Sequence, residues 1–248
     1  MEQQELRKRA EELAERAERQ SVVAATLFLT PAEQYDLKQY FRNRRDVKLC
    51  FSGGAEGCER QLAFFLPDWL EEELLDVNEY IRAFRLTAHF GTPGHRDYMG
   101  ALLGMGIGRE WLGDIWVDES TAIVFCLPSV ERHLLGIEKA GRVSVTAQPI
   151  ALADIPPRVR KVKELTFSVQ SLRLDAIVAG MFHISRSEAA RQIALGAVSI
   201  NYSETLKPDF AVKEGDILSL RGSGKGQLIS LGGLSKKGRQ FVTAEIWQ

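Results

Sequence analysis

Leu6, Ala10, Leu13 and Ala17 recur at helical spacing in a field of Glu, Arg and Lys, which predicts an amphipathic helix at the start of the chain. Two heptads are too few for a stable coiled coil, so the stripe is expected to pack on its own domain. Thr30-Pro31-Ala32-Glu33 predicts a second helix start, with Thr30 as N-cap, Pro31 at the first position and Glu33 closing a capping box. Leu37, Tyr40 and Phe41 supply its apolar face. Val47–Phe51 and Gln61–Leu66 read as strands joined through Ser52-Gly53-Gly54 and Gly57. Pro67 closes this block, and the acidic run Glu71-Glu72-Glu73 follows.

From Ile81 the periodicity changes. Ile81–His89 reads as strand, His95–Gly104 as helix and Asp114–Val117 as strand. A turn at Asp118-Glu119-Ser120 leads into the strand Thr121–Leu127, then a helix over Ser129–Ala140 and a strand over Val143–Pro149. The order is βαββαβ, a ferredoxin-like arrangement shared by RNA-recognition motifs and by many unrelated proteins. The predicted strands carry no aromatic platform of the kind that stacks bases. Ile155-Pro156-Pro157 interrupts the pattern, and the basic run from Arg158 to Lys163 reads as linker or edge strand.

In the last third, Leu174, Ile177, Val178 and Met181 mark a helix over Ser171–Phe182, with Gly180 near its end. Ser185 is the predicted N-cap of another helix and Glu188 its capping-box partner, with Ala190, Ile193, Ala194 and Ala197 facing inward. A β-rich tail follows. Val198 and Ile200 alternate with Ser199 and Asn201, and Leu218 and Leu220 with Ser219 and Arg221. Gly222–Gly226 forms a basic tip before the strand Gln227–Leu231, Ser235–Arg239 forms a basic loop, and Phe241–Trp247 closes the sheet. The expected class is α+β: an N-terminal helical and β-hairpin region (1–75), a central ferredoxin-like, RRM-like domain (76–152), a basic linker (153–165) and a C-terminal domain of two helices and a small bent sheet (166–248).

Composition adds limits. With 45% hydrophobic and 26% charged residues in 248, disordered and low-complexity classes are excluded. The apolar run Val22–Leu29, broken by Thr26, falls far short of the ~20 residues that span a bilayer, so no membrane insertion is expected. The acidic start lacks the layout of a signal peptide, which implies a cytoplasmic protein. Cys50, Cys58 and Cys126 read as reduced, packed thiols, with a Cys50–Cys58 pair across a turn as the alternative. His89, His95, His133 and His183 form no ligand pair, so neither metal nor cofactor is expected.

The near-zero net charge of −1 hides an asymmetry. Residues 1–157 hold 18 basic and 25 acidic residues, a net of −7, whereas residues 158–248 hold 14 and 8, a net of +6. A basic back end is suited to a polyanion. Arg186 stands at a predicted first helical position, where a cation costs ~0.3–1 kcal/mol but strengthens an anion site. Arg173 and Arg191 extend that surface. A solvated Arg186 is the alternative.

Ser171-Leu-Arg-Leu-Asp-Ala, Ile184-Ser-Arg-Ser-Glu-Ala-Ala, Gly196-Ala-Val-Ser-Ile-Asn201 and Gly215-Asp-Ile-Leu-Ser-Leu-Arg-Gly222 resemble, in order and spacing, the RNA-binding domain named after ribosomal protein S-four, the alpha-L motif. The ending Ser-Leu-Arg-Gly-x-Gly with Ser235-Lys-Lys-Gly-Arg is similar to bacterial YlmH-like proteins. Gly94-His-Arg-Asp-Tyr-Met-Gly-Ala-Leu-Leu-Gly-Met-Gly-Ile-Gly-Arg-Glu, Gly113-Asp-Ile and Phe28-Leu-Thr-Pro-Ala-Glu carry that resemblance upstream. It implies a non-catalytic protein that binds structured ribosomal or transfer RNA on the large ribosomal subunit, in ribosome quality control or translation, with division proteins as a further partner class. Motif by motif, Arg173, Ser185, Arg186, Arg191, Asn201, Arg221, Lys225, Lys236 and Lys237 become candidate RNA contacts. Asp175 and Asp216 become structural residues that orient turns or pair with arginine. His95, Arg96 and Arg109 form a candidate secondary contact.

Enzymatic signatures fail. His95-Arg96-Asp97 copies a kinase triplet but lacks the Asn five residues on, where Leu102 stands. Gly104-Met-Gly106-Ile-Gly108 has the wrong spacing for a dinucleotide loop and follows a helix. Gly224-Lys225-Gly226 lacks the hydroxyl residue of a Walker loop. Alternatives to the RNA adaptor are an RNA-modifying enzyme or accessory (pseudouridine synthase or methyltransferase), a DNA-binding regulator using Ser185–Leu195, and a division-complex scaffold.

Overall fold

The computed structural model describes residues 3–158 and 161–247. It divides into two compact units, residues 1–159 and 160–248. The first begins with α1 (Gln3–Gln20), which buries Leu6, Ala10, Ala14 and Ala17. Leu13, expected on that stripe, is only partly buried, and Ala14 takes its place. β1 (Ala24–Ala25), too short to announce itself in the sequence, precedes α2 (Pro31–Tyr40). The Thr30 capping box forms as expected: Glu33 N donates to Thr30 Oγ1 at 3.3 Å and Thr30 N to Glu33 Oε2 at 2.7 Å.

β2 (Lys48–Ser52) and β1 flank β3 (Leu62–Leu66) in an antiparallel sheet. All five residues of β3 are buried, because both of its faces are covered. Ala63 and Phe65 join the core beneath α1, while Leu62, Phe64 and Leu66 join a second core with Phe28, Ile81, Trp116 and Phe125.

The ferredoxin-like portion follows. Its elements are β4 (Arg82–Ala88), α3 (His95–Gly104), β5 (Leu112–Asp118), β6 (Thr121–Cys126), α4 (Glu131–Leu135), β7 (Lys139–Ala140) and β8 (Val143–Ile150), and the strands form an antiparallel sheet in the order β5-β6-β4-β8-β7. The predicted helix over Ser129–Ala140 shortens to α4. Gly136 ends it, and Leu134, Ile137 and Ala140 are all buried. Their i, i+3 spacing imitates a helix although Ala140 lies on a strand.

Residues 1–75 and 76–152, expected as separate regions, share a core in one unit. Polar contacts reinforce the junction. Asp114 accepts from Glu59 N at 2.7 Å, Arg60 N at 3.1 Å and Trp116 Nε1 at 3.3 Å. The Arg60 guanidinium donates to Phe28 O at 2.8 Å and Leu112 O at 3.0 Å. Gly113 is required here, since a Cβ on it would sit 2.8 Å from the Phe28 ring. All three cysteines are free and buried.

The second unit contains β9 (Val162–Val169), α5 (Leu174–Met181), α6 (Arg186–Ala194), β10 (Val198–Ile200), β11 (Ser203–Glu204), β12 (Ile217–Leu220), β13 (Gly224–Leu234) and β14 (Gln240–Trp247). Its sheet runs β11-β10-β12-β13-β14-β9, so the basic run leads into an edge strand that pairs with β14. Arg160 of that run lies outside the described residues. α5 starts at Leu174 rather than Ser171, because Arg173 bridges Ala211 and Leu172 O accepts from Val212 N. The two helices pack on one face over Val198, Leu218, Leu220, Leu228, Val242 and Ala244.

Two substitutions test this packing. An alanine in place of a helical glycine ordinarily stabilises by about 1 kcal/mol. At Gly180 the new Cβ would fall 2.2 Å from Phe167 on β9. Gly180→Ala is therefore expected to reverse that sign and destabilise the second unit by about 1–3 kcal/mol, read as a lower urea midpoint. Tyr98 is wholly buried, and its hydroxyl has no hydrogen-bond partner among the described residues. Tyr98→Phe is expected to raise the first unit's stability by about 1 kcal/mol, measured by thermal unfolding.

Candidate nucleic-acid interface

The candidate arginines gather where α5 begins and α6 begins. Arg173 is the N-cap of α5, and Arg186 is the first residue of α6. Between them stands Asp175, whose side chain is only 7% exposed. Arg173 donates to it through Nε and Nη2 at 3.2 and 3.1 Å. Arg186 does the same at 3.1 and 3.3 Å. Each guanidinium thus commits its Nε–Nη2 edge to one carboxylate, and its opposite edge carries the remaining donors. The two arginine side chains stay 41% and 52% exposed. The cluster carries one net positive charge in a fixed geometry, which suits a phosphate or a bend in a sugar–phosphate backbone.

Arg186 thus stands at the first position of α6, as expected, and is paired rather than merely solvated. The cost of a cation at the positive end of α6 is met by Asp175, one of the residues expected to pair with arginine. Burial pushes the Asp175 carboxyl up, but the hydrogen bonds from Arg173 and Arg186 outweigh it and hold the group below the usual carboxylate range. The Arg173 guanidinium is correspondingly raised by its bond to Asp175.

Ser185, Arg191 and Asn201 are also engaged within the fold. Ser185 Oγ accepts from Glu188 N at 3.1 Å, so it caps α6. The return half of the expected capping box is missing because Glu188 is drawn away. Its carboxylate takes Arg191 Nε and Nη2 at 2.9 and 2.8 Å and Gln192 Nε2 at 2.7 Å. Those bonds, Arg191's first, pull the Glu188 carboxyl down to about 2. Asn201 holds a turn: Nδ2 donates to Asp216 Oδ1 at 2.8 Å and Oδ1 accepts from Ile217 N at 2.9 Å. Its φ of 48° lies in the left-handed region that Asn tolerates. Asn201 is therefore a positioning residue rather than an outward contact, and Asp216 orients the turn as expected.

Arg221 forms a loose pair with Glu204 at 3.4 Å, both largely exposed. Lys225 Nζ lies over the Tyr202 and Trp247 rings, 4.2 and 4.5 Å from their centroids. Lys236 and Lys237 are exposed on the turn between β13 and β14.

The secondary trio separates. His95 and Arg96 are exposed at the start of α3, an end capped by Asp97, which accepts from Gly94 N at 2.8 Å. Arg109 lies five residues past the far end of that helix, which is itself ~15 Å long. Its Nη1 donates to Leu112 O and Gly113 O at 2.8 and 3.0 Å. Burial, with Arg60 adding to it, lowers its pKa to about 10. Arg109 is a junction residue and does not join His95 and Arg96 in a contact surface.

Two helices braced on a bent sheet, presenting arginines fixed by a shared carboxylate, define a nucleic-acid-binding module. Among the described residues no group of side chains could hold a metal ion. Comparisons agree with that class. Residues 78–154 match the family described as "Putative RNA-binding domain in YlmH", and residues 172–218 match the S4 domain. The chain is 33% identical over 221 residues to "Ribosome-associated protein quality control protein P2" of Bacillus subtilis, covering 89% of this chain and 86% of that protein. The solved structure of "Cell division protein ylmH from Streptococcus pneumoniae" aligns at a TM-score of 0.52 and 19% identity, over 62% of this chain and 94% of that one, a likeness of fold. The chain belongs to the YlmH family, whose RNA-binding domain is followed here by an S4 domain.

The acid limb of stability tests the Asp175 cluster. Asp175 and Glu188 both titrate below their ordinary values when folded. Their contribution is present above the unfolded carboxylate range, near pH ~4, and is lost as pH falls through the folded pKa values. Asp175→Asn is expected to cost about 1–2 kcal/mol at pH 7, allowing for the exposure of both arginines. It should also flatten the loss of stability below pH ~4, followed by urea unfolding across pH.

Proposed function

We propose that this chain is a non-catalytic RNA-binding protein that engages structured ribosomal or transfer RNA on the large ribosomal subunit, in ribosome-associated quality control or translation. The observation that carries the reading is the Arg173–Asp175–Arg186 cluster, placed in the S4 domain of a segment with a net charge of +6. Two guanidiniums held at fixed separation by one carboxylate select a backbone of matching curvature, so shape rather than sequence is read there. Arg191, Arg221, Lys225, Lys236 and Lys237 add the diffuse attraction that gathers RNA. The relative named for ribosome-associated quality control supplies the setting. His95 and Arg96 are a separate, secondary RNA contact.

Arg186→Ala/Arg221→Ala is expected to weaken co-sedimentation with large ribosomal subunits about tenfold or more, while circular dichroism stays unchanged. Removing two phosphate contacts should also lower the slope of log affinity against log salt by about 1–2. Undiminished ribosome binding by the double variant would contradict the assignment.

A further inference from the structure

The strand registers of the second unit line up a row of side chains across its sheet. Glu204 is opposite Ser199, Ser199 opposite Ser219, Ser219 opposite Lys225, and Lys225 opposite Trp247. Directly paired residues project from the same face. Their neighbours Val198, Ile200, Leu218 and Leu220 are buried under the helices, so the row occupies the outer face. The sheet thus bears a carboxylate, two hydroxyls, an ammonium and an indole in line, and the helices take no part in it.

At one end of the row lies a depression of about 380 Å³, lined by Gly196, Ser199, Glu204, Ser219, Arg221 and Gly222 among others. Ser199 Oγ and Ser219 Oγ are 2.6 Å apart, so one donates to the other and the pair keeps acceptor capacity. The rim is bare: a Cβ on Gly222 or Gly224 would meet nothing within 4 Å. The Glu204–Arg221 pair beside it is long and exposed, and such pairs exchange at little cost.

This chemistry excludes some ligands and favours others. One carboxylate against one arginine leaves this lining without net charge, so it favours a phosphate less than the arginine cluster at the helix tips, where two guanidiniums share one carboxylate. A lone carboxylate opposite an arginine is a poor cation site. What fits is a flat, neutral group with adjacent N–H donors, attached to an anion that Arg221 or Lys225 meets. An unpaired nucleotide has that form. Guanine presents N1–H and an exocyclic amine side by side, matching the two oxygens of Glu204, while the hydroxyl pair takes remaining polar edges. We propose that this outer-face depression is a base-reading subsite that accepts an unpaired guanine of the bound RNA, with Glu204 as its specificity-determining residue. The inference rests on the RNA-binding reading above and adds sequence discrimination to it.

The full-length chain is titrated by fluorescence anisotropy with hairpin RNAs that differ only in one unpaired loop base, each of the four in turn. The wild type is expected to prefer guanine about tenfold, the scale of one bidentate contact. Glu204→Gln should erase the preference without weakening binding to the other three RNAs, and Ser199→Ala/Ser219→Ala should reduce it. Arg173→Ala/Arg186→Ala should weaken all four RNAs equally and keep the ranking. Equal binding of the four bases by the wild type, another base ranked first, or a preference that survives Glu204→Gln overturns the subsite and leaves the general RNA reading standing. Failure to bind any hairpin overturns both.

Discussion

A carboxylate withdrawn from water between two guanidiniums organises the C-terminal unit. Asp175 lies at the first turn of α5, and the arginines it holds come from the N-cap of α5 and the tip of α6. Two guanidiniums brought this close would repel each other, and one of them already faces an unfavourable helix end. The shared carboxylate turns that repulsion into a brace that joins the two helices at their starts. It also halves the charge available to a ligand. The surface therefore trades Coulomb attraction for fixed donor geometry, which sets it apart from a merely basic patch.

The first unit obtains its integrity from a strand with two cores. β3 gives Ala63 and Phe65 to the helical side and Leu62, Phe64 and Leu66 to the ferredoxin-like side. Asp114 and Arg60 then tie backbone groups across that junction, and Arg109 holds the start of β5 beside it. Arginines in such a setting serve carbonyl oxygens rather than an external anion. Basic residues divide by role accordingly: Arg60 and Arg109 at the junction serve the protein's own carbonyls, whereas Arg173, Arg186 and Arg191 of the second unit are paired with carboxylates but remain accessible.

Local signals read best in the sequence. The Thr30 capping box, the split-βαβ order, the inward stripe of α5 and the alternation of β12 all follow from rules of neighbouring residues. The failures share a cause, which is dependence on partners remote in sequence. β1 is two residues long and exists only because β3 accepts it. Leu134, Ile137 and Ala140 obey helical spacing, but Gly136 and pairing with β8 decide otherwise. Of the site, the residue types were readable and their partners largely were not. The resemblance pointed to Arg173 and Arg186 and suggested that Asp175 pairs with arginine, yet the sharing of one carboxylate depends on the crossing of two helices. The row from Glu204 to Trp247 is spread over five strands, and no local pattern announces it.

The C-terminal sheet places β9, its first strand in the chain, against β14, its last, with Val162 opposite Trp247. Long-range closure of this kind forms late, since the chain between must be organised before the ends can meet. While the polypeptide is being made, Phe167 and Val169 have no neighbouring strand until β14 is synthesised. Assembly of the arginine brace can begin earlier, because α5 and α6 are consecutive. The unit's arginine-bearing elbow and its sheet therefore mature on different clocks, and the closing strand also completes the row that ends in Trp247.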